Sequence, residues 1–175
     1  MIDLELARHA LQRVLPMLEV AVHDRTVCGA GFMHVVVMDP SKPPGSCNFE
    51  EAILLEHELG DTARRDADYT GFARAKARLS WHTGLDGTTV QTHHPHRLRP
   101  GDTMLTGGIC LDGIVVGVSG AFPWFDEAFG VAIAAQIRAA CKDRHAGWLQ
   151  DGLLEIPRHA GAEHDTPARP VELIG

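Results

Sequence analysis

The residues of this sequence that are best suited to chemistry are its histidines. The chain of 175 residues contains 11 histidines beside one tyrosine, and the densest group is His93, His94 and His96. Neutral imidazole is a common ligand for zinc, iron, copper and nickel, and in an extended segment His94 and His96 would point the same way. No HExxH or CxxC spacing accompanies the cluster. It therefore predicts either a metal or heme-iron site or an exposed polar loop, and both interpretations stay open.

A second pair of histidines lies on neighbouring predicted elements. His57 stands between Glu56 and Glu58 on a predicted strand, where a carboxylate could hold the imidazole tautomer as it does around a metal ligand. His82 lies in the last turn of a predicted helix and is either a ligand or a cation at the helix C-terminus. His34, inside an apolar strand, is predicted to be a hydrogen-bonded core histidine. The candidate metal ligands are therefore His57, His82, His93, His94 and His96.

A basic stripe and a pair of glycines are candidates for binding a ligand. Arg74, Lys76 and Arg78 follow one another at every second position, and an arginine fork can bind a carboxylate with two hydrogen bonds. The stripe can equally be a solvated helix face. Gly107 and Gly108 carry no phosphate-loop pattern, so they predict close backbone approach, either to a flat ligand or to a packed helix.

Aromatic and acidic residues open the last predicted helix. Phe122 and Trp124 could stack on an aromatic macrocycle or form an oligomer contact. Asp126 is expected to cap and charge the helix, with a role as general base or ligand as the alternative. Ser119 lies in GVSG, which lacks the GxSxG spacing of a serine hydrolase. The candidate ligand-binding residues are Lys76, Arg78, Gly107, Gly108, Phe122 and Trp124.

The apolar periodicity predicts the elements that must position these groups. Helical spacing runs over residues 3–22, where Pro16 would kink the helix or end it early. Apolar strands are expected over Phe32–Asp39 and in EEAILLEHE, residues 50–58. Helical character returns from Thr70 to Gly84 and from Asp126 to Lys142. The Asp112-Gly113 pair predicts a hairpin, and residues 85–102 read as a polar loop. The order of these elements predicts an α+β domain.

Composition excludes several classes of protein. Lys plus Arg number 16 against 23 for Asp plus Glu, a net charge of −7, which argues against a nucleic-acid binder. No apolar run approaches the roughly 20 residues of a membrane span. The four cysteines form no CxxC pair, and Asp3 and Glu5 make the amphipathic N-terminus unlike a signal peptide. We therefore expect reduced thiols and a cytoplasmic protein with no nucleic-acid or membrane partner.

Two segments carry a resemblance to a known family. ARAKARLSW (Ala73–Trp81) and TGGICLDGIVVGVSGAFPWFDEAFGVAIAAQI (Thr106–Ile137) resemble the GlcG/HbpS-like family, which includes the C-terminal domain of PduO-type proteins. The shared features are a Lys-Ala-Arg helix, a Gly-Gly pair, a DG hairpin, a GVSG strand end and an acidic residue opening the last helix. The likeness spans Phe32 to about Lys142. The Gly-Gly pair departs from the family's Gly-Gly-Val-Pro, since Ile109 and Cys110 follow it.

The resemblance implies a fold and a function. It implies a profilin-like antiparallel sheet of about five strands flanked by helices, in a homo-oligomer that binds heme or another tetrapyrrole. The expected organisation is one domain over residues 1–144, with a helix at 3–22 and a core at 32–142, followed by an extended tail at 145–175.

Three functions stay open at this point. The first is a heme-binding or similar small-ligand-binding homo-oligomer. The second is a small metal-dependent enzyme that uses the histidines for Zn or Fe and Arg78 for a substrate carboxylate. The third is a non-catalytic accessory subunit. Whether the protein is an enzyme is therefore undecided.

Overall fold

The N-terminal helix is amphipathic, as its apolar spacing predicts. In the computed structural model, which describes residues 2–64, 66–153 and 155–156, α1 spans Leu4–His23. Asp3 caps it by accepting a hydrogen bond from the Leu6 amide at 2.8 Å. The helix continues through Pro16 and does not end early. Buried residues on both sides of the proline, among them Val14 and Leu18, hold the helix against the sheet and outweigh the missing hydrogen bond.

Four strands form an antiparallel sheet in the order β2-β1-β4-β3. The strands are β1 (Phe32–Met38), β2 (Ile53–Gly60), β3 (Gly108–Leu111) and β4 (Ile114–Ser119). Among the described residues the sheet thus has four strands, and the expectation of about five was wrong in number. Every residue of β1 is buried, because this strand is central and both faces of the sheet are covered.

Helices cover the two faces of the sheet unequally. One face carries α1 and α4 (Pro123–Gln150), which pack with Met33, Val35 and Val37 of β1 in the larger apolar cluster. The other face carries α2 (Tyr69–Thr83), whose Ala73 and Ala77 pack with Val36 and Met38 in a smaller cluster. Successive side chains of a strand point to opposite faces, so alternate residues of one strand serve two different cores.

Two helical segments differ from the expectation. The predicted polar loop contains α3 (Gly87–His93) and a 3-10 turn at Pro95–Arg97. Its sequence, GTTVQTH, has too few apolar residues to show a helical period, and Val90 is its one buried large side chain. The last helix runs to Gln150, past the predicted end at Lys142. Residues 145–150 of the predicted tail are thus helical, and residues 157–175 lie outside the described residues.

Candidate functional site

The basic stripe on α2 divides between two faces of the helix. Lys76 is only 4% exposed, whereas the side chains of Arg74 and Arg78 are 37% and 49% exposed. A helix turns by about 100° per residue, so positions four apart share a face and the position between them points away. The three side chains therefore do not share one solvated face, because Lys76 points inward.

Lys76 forms a buried ion pair with the residue that opens the last helix. Its Nζ lies 2.7 Å from Asp126 Oδ2 and donates to the carbonyl oxygen of Val118 at 2.9 Å. Asp126 is 2% exposed, and its other oxygen accepts a hydrogen bond from the Ala121 amide at 3.0 Å. The pair thus links α2 to α4 across the end of β4, and its polar atoms are matched by partners inside the protein.

Burial shifts both partners of this pair toward their neutral forms. Desolvation raises the pKa of the Asp126 carboxyl to about 6, although Lys76 opposes the shift. Desolvation likewise lowers the pKa of the Lys76 ammonium, with Asp126 opposing. The two directions agree that removal from water outweighs the mutual attraction, as is common for buried ion pairs.

Glycines bring the backbone of the strands against this pair and against α2. A Cβ on Gly107 would lie 2.8 Å from Asp126 Cβ and 3.1 Å from Lys76 Nζ, and a Cβ on Gly108 would lie 2.3 Å from the Lys76 carbonyl oxygen. A Cβ on Gly117 would lie 2.3 Å from the Ala73 carbonyl oxygen. Of the two roles open to Gly107 and Gly108, the structure shows close packing on protein. The segments Ala73–Trp81 and Thr106–Ile137, which carry the resemblance, converge here on a closely packed junction of helix, strand and helix.

Arg74 and Arg78 belong to a different network, on the exposed side of α2. Arg74 makes a two-pronged contact with Glu56, at 2.8 and 2.7 Å, and Glu56 also lies 3.1 Å from His34 Nε2. His34 is therefore a buried, hydrogen-bonded core histidine, as predicted. Arg78 lies over the Phe49 ring at 4.5 Å and pairs with Glu50, so it shields the smaller apolar cluster.

His82 has a carboxylate partner that lies far away in the sequence. Its Nε2 is 3.0 Å from Asp102 Oδ1, and the two side chains are 7% and 9% exposed. The other oxygen of Asp102 accepts a hydrogen bond from the Arg99 amide at 2.7 Å. His82 Nδ1 is buried and has no hydrogen-bond partner among the described residues. His82 thus has the oriented imidazole of a ligand or base, held by a carboxylate that no local pattern indicates.

The cluster His93, His94 and His96 lies at the end of α3 and in the turn after it, where His93 and His96 are exposed and His94 is half-buried. His93 ends α3, His94 caps it and His96 lies in the 3-10 turn. The segment is not extended, so the alternation of side chains expected for a strand does not apply. The rings of His94 and His96 nevertheless lie 5.8 Å apart, edge to face. Within the described residues, no group of three or more His, Cys, Asp or Glu side chains is arranged to hold a metal ion.

His57 lines a cavity. A cavity of about 340 Å³ lies between α1 and β2. His57 is half-buried, and burial lowers its pKa, with a further lowering by His34. Glu56 and Glu58 bond to residues on the opposite face of the strand, so they are not its tautomer-holding partners. The lining residues are Arg8, Leu11, Gln12, Leu15, Leu55, Glu56 and His57.

Phe122 and Trp124 form an exposed aromatic step at the start of α4. Their rings stack at 6.0 Å between centroids, and they are 41% and 64% exposed. Phe125 and Phe129 continue the series of ring contacts toward the core. The step is accessible to a flat ligand or to another protein chain, so both predicted roles stay open.

Several residues around His57 and His82 lie on elements other than those of the two histidines, and the sequence pattern does not indicate them. Arg8, Leu11 and Leu15 form the α1 wall of the His57 cavity. Their spacing of three and four marks one helix face, but no local signal places that face opposite His57. Asp102, in the same way, lies 20 positions from His82.

The fold places the chain in a class of layered α+β proteins, with an antiparallel four-stranded sheet flanked by helices. Among solved structures, the chain is similar to a double mutant of HbpS from Streptomyces reticuli. The TM-score is 0.50 at 23% sequence identity, and the match covers 77% of this chain and 85% of that chain. The chain matches no family model and no curated protein sequence. The likeness establishes an HbpS-like fold.

In the part of the chain that the structure describes, no helix is both long and apolar enough to cross a membrane. The same residues hold four free cysteines, Cys28, Cys47, Cys110 and Cys141, as their spacing predicts.

Proposed function

We propose that this protein binds heme, another tetrapyrrole or a similar flat small ligand, and that it does so as a homo-oligomer. The HbpS-like fold and the resemblance of the Ala73–Trp81 and Thr106–Ile137 segments support this proposal. The observation that carries it to a site is the cavity beside His57. A cavity of about 340 Å³ lies within the range that is usual for small-ligand pockets.

The residues around the cavity include groups of the kinds that bind tetrapyrroles. Burial favours neutral His57, and neutral imidazole is the form that coordinates heme iron. Leu11, Leu15 and Leu55 supply apolar walls for the macrocycle, and Arg8 supplies a cation for a propionate. When bound, heme would supply an iron centre whose reactivity depends on the polarity around it. His57 would hold the iron, Arg8 would hold a propionate, and the leucines would orient the group and exclude water.

The proposed homo-oligomer gives the exposed aromatic step a role. Trp and Phe are enriched in protein interfaces, and Phe122 and Trp124 present a stacked apolar surface to solvent. We place a contact between copies of the chain at this step. Light scattering of Trp124→Ala should then show a smaller species than the parent protein.

Hemin titration tests the ligand and the site together. The parent protein should show a saturable Soret shift at micromolar hemin, and His57→Ala should weaken binding at least tenfold, a loss of about 1.4 kcal/mol or more. A variant with His93, His94 and His96 changed to alanine should titrate like the parent, because these side chains lie at the end of α3 and in the turn after it. No saturable shift in the parent would contradict tetrapyrrole binding, and an unchanged His57→Ala would contradict the site.

A metal-dependent enzyme is the second candidate, and His82 is the feature that favours it. The Asp102 carboxylate and the unpartnered Nδ1 resemble the arrangement around a histidine metal ligand. Catalytic zinc sites usually have about three protein ligands, and this pair supplies one imidazole. Elemental analysis of untagged protein decides between the two. Stoichiometric Zn or Fe without porphyrin, lost in His82→Ala, supports the enzyme.

A further inference from the structure

A groove lies between the second half of α4 and the β3–β4 hairpin. It has a volume of about 400 Å³. Four of its residues come from α4 at spacings of three and four, which places them on one helix face. They are Arg138, Cys141, Lys142 and His145. The opposite wall comes from the hairpin, from the segment after β1 and from the residue before the α1 cap. These lining residues are Ile2, Pro40, Asp112 and Ile114.

The floor of the groove is apolar. Ile114 is 6% exposed and belongs to the larger apolar cluster, against which Ile2 and Cys141 also pack. Burial raises the pKa of the Cys141 thiol, so this sulfur behaves as a small apolar group near neutral pH. An apolar chain or ring placed in the groove would thus leave water for a surface that is already part of the core.

The rim of the groove is cationic, although the chain as a whole carries a net charge of −7. Arg138 and Lys142 contribute two positive charges, and Asp112 contributes the one carboxylate among the lining residues. Asp112 is already paired with Arg138 at 2.6 Å. Lys142 is exposed and makes no ion pair or hydrogen bond with any described residue. The groove therefore has an uncompensated cation at the edge of an apolar floor.

Both walls of the groove are held in place. Arg144 pairs with Asp3 at the start of α1, which fixes the neighbouring Ile2 against α4. The Arg138–Asp112 pair ties α4 to the hairpin turn, where Asp112 adopts a φ of 51°. A cavity with fixed walls requires little ordering when a ligand binds, which favours affinity.

We infer that this groove binds a small amphipathic anion, with an apolar body of medium length and one carboxylate. The apolar part would lie on Ile2, Ile114 and Cys141, and the carboxylate would meet Lys142. The site shares no lining residue with the His57 cavity, so it goes beyond the function proposed above.

Calorimetric titration with decanoate tests this inference on the full chain. Decanoate should bind saturably, and decyltrimethylammonium, which has the same chain length and the opposite charge, should bind at least tenfold more weakly. Lys142→Gln should weaken decanoate binding about tenfold, as loss of one charge-assisted contact does. Arg13→Gln, which removes one exposed positive charge from α1 outside the groove, should leave binding unchanged. Cys141→Phe, which fills the groove, should abolish binding, with its fold checked by circular dichroism.

Several outcomes would overturn the inference. Decanoate binding that does not saturate up to the solubility limit would do so. Equal affinity of the protein for decanoate and decyltrimethylammonium would also do so. Equal weakening by Lys142→Gln and Arg13→Gln would also overturn it, since it would mean non-specific charge attraction. If Lys142→Glu changes the mass measured by light scattering while decanoate does not bind, the groove is an interface between copies. Hemin binding is measured separately, so either proposal can fail alone.

Discussion

Two regions of this molecule bury titratable groups, and they do so in opposite ways. At the end of β4, Lys76 and Asp126 are packed against glycine backbone and bonded to each other. Between α1 and β2, His57 is half-buried beside a cavity of about 340 Å³. The first region holds the segments that carry the family resemblance, and the second contains none of them. The comparison indicates that the segments of the resemblance build closely packed scaffold and that open space beside a titratable group lies elsewhere.

Breaking the Lys76–Asp126 ion pair should give the largest effect on stability. Lys76→Met leaves Asp126 buried without its cation, so we expect a loss of about 3 kcal/mol in unfolding free energy, measured by urea denaturation. Adding Asp126→Asn removes the unpaired charge and should restore at least half of the loss. Arg78→Met, on the exposed side of the same helix, is the control and should cost less than about 1 kcal/mol. A Lys76→Met protein as stable as this control would contradict the structural role.

Forcing α2 away from β4 should give the second largest loss of stability. Gly117→Ala would place a Cβ 2.3 Å from the Ala73 carbonyl oxygen, so helix and strand must separate, at a cost of about 2 kcal/mol. Gly147→Ala is the matched control, because its Cβ would meet nothing within 4 Å in α4. That change should stabilise the protein by roughly 0.5 kcal/mol. Thermal or urea unfolding of both variants checks the contrast, and equal behaviour would refute it.

Asp126 should also make stability depend on pH. Its pKa rises from 3.8 to about 6 on folding, so between these values the folded state binds more protons than the unfolded state. The stabilising contribution of this carboxyl to the free energy of unfolding is then fully present below about pH 4. It declines as the pH rises to about 6, by on the order of 2 kcal/mol. Urea unfolding at several pH values should show this decline in the parent relative to Asp126→Asn. Parallel profiles would contradict it.

A substitution at His57, beside the cavity between α1 and β2, should give the smallest effect on stability. His57→Phe replaces the imidazole by a somewhat larger aromatic ring beside open space, so the unfolding free energy should change by less than about 1 kcal/mol. The same variant should bind hemin at least tenfold more weakly, as measured by absorbance. The two regions would then differ in kind, with stability lost at Lys76 and binding lost at His57. A destabilised His57→Phe would remove that contrast.

The elements of this fold could be predicted well from local pattern. The spacing in α1, the apolar run of β1 and the Asp112-Gly113 turn each indicate their structure directly. The existence of α3 could not be predicted, because its sequence has little apolar periodicity and the side chain of its Asp86 cap accepts a hydrogen bond from the Cys110 amide and not from the helix. The number of strands in the sheet, four, could not be inferred either, since it depends on which strands pair and not on local spacing.

The site could be predicted only in part. Every second residue of the α2 stripe is basic, yet the geometry of a helix directs Lys76 inward, and its partner Asp126 lies 50 positions away. His57 could be chosen as a candidate but not ranked, because its surroundings come from α1 as well as from its own strand. Likewise, the partner of His82 lies in a distant loop. Local spacing identifies residues whose side chains could act as ligands, acids or bases. Tertiary packing decides which of these side chains face open space.

NMR mapping of a bound tetrapyrrole tests whether the ligand lies beside His57. Gallium protoporphyrin IX, a diamagnetic analogue of heme, can be titrated into isotope-labelled protein while amide and imidazole signals are followed. We expect the largest shifts at the residues that line the cavity, His57, Leu11, Leu15 and Leu55. The signals around Lys76 and Asp126 should stay nearly unchanged. Shifts centred on the turn that holds His94 and His96, or on the Lys76–Asp126 pair, would contradict it.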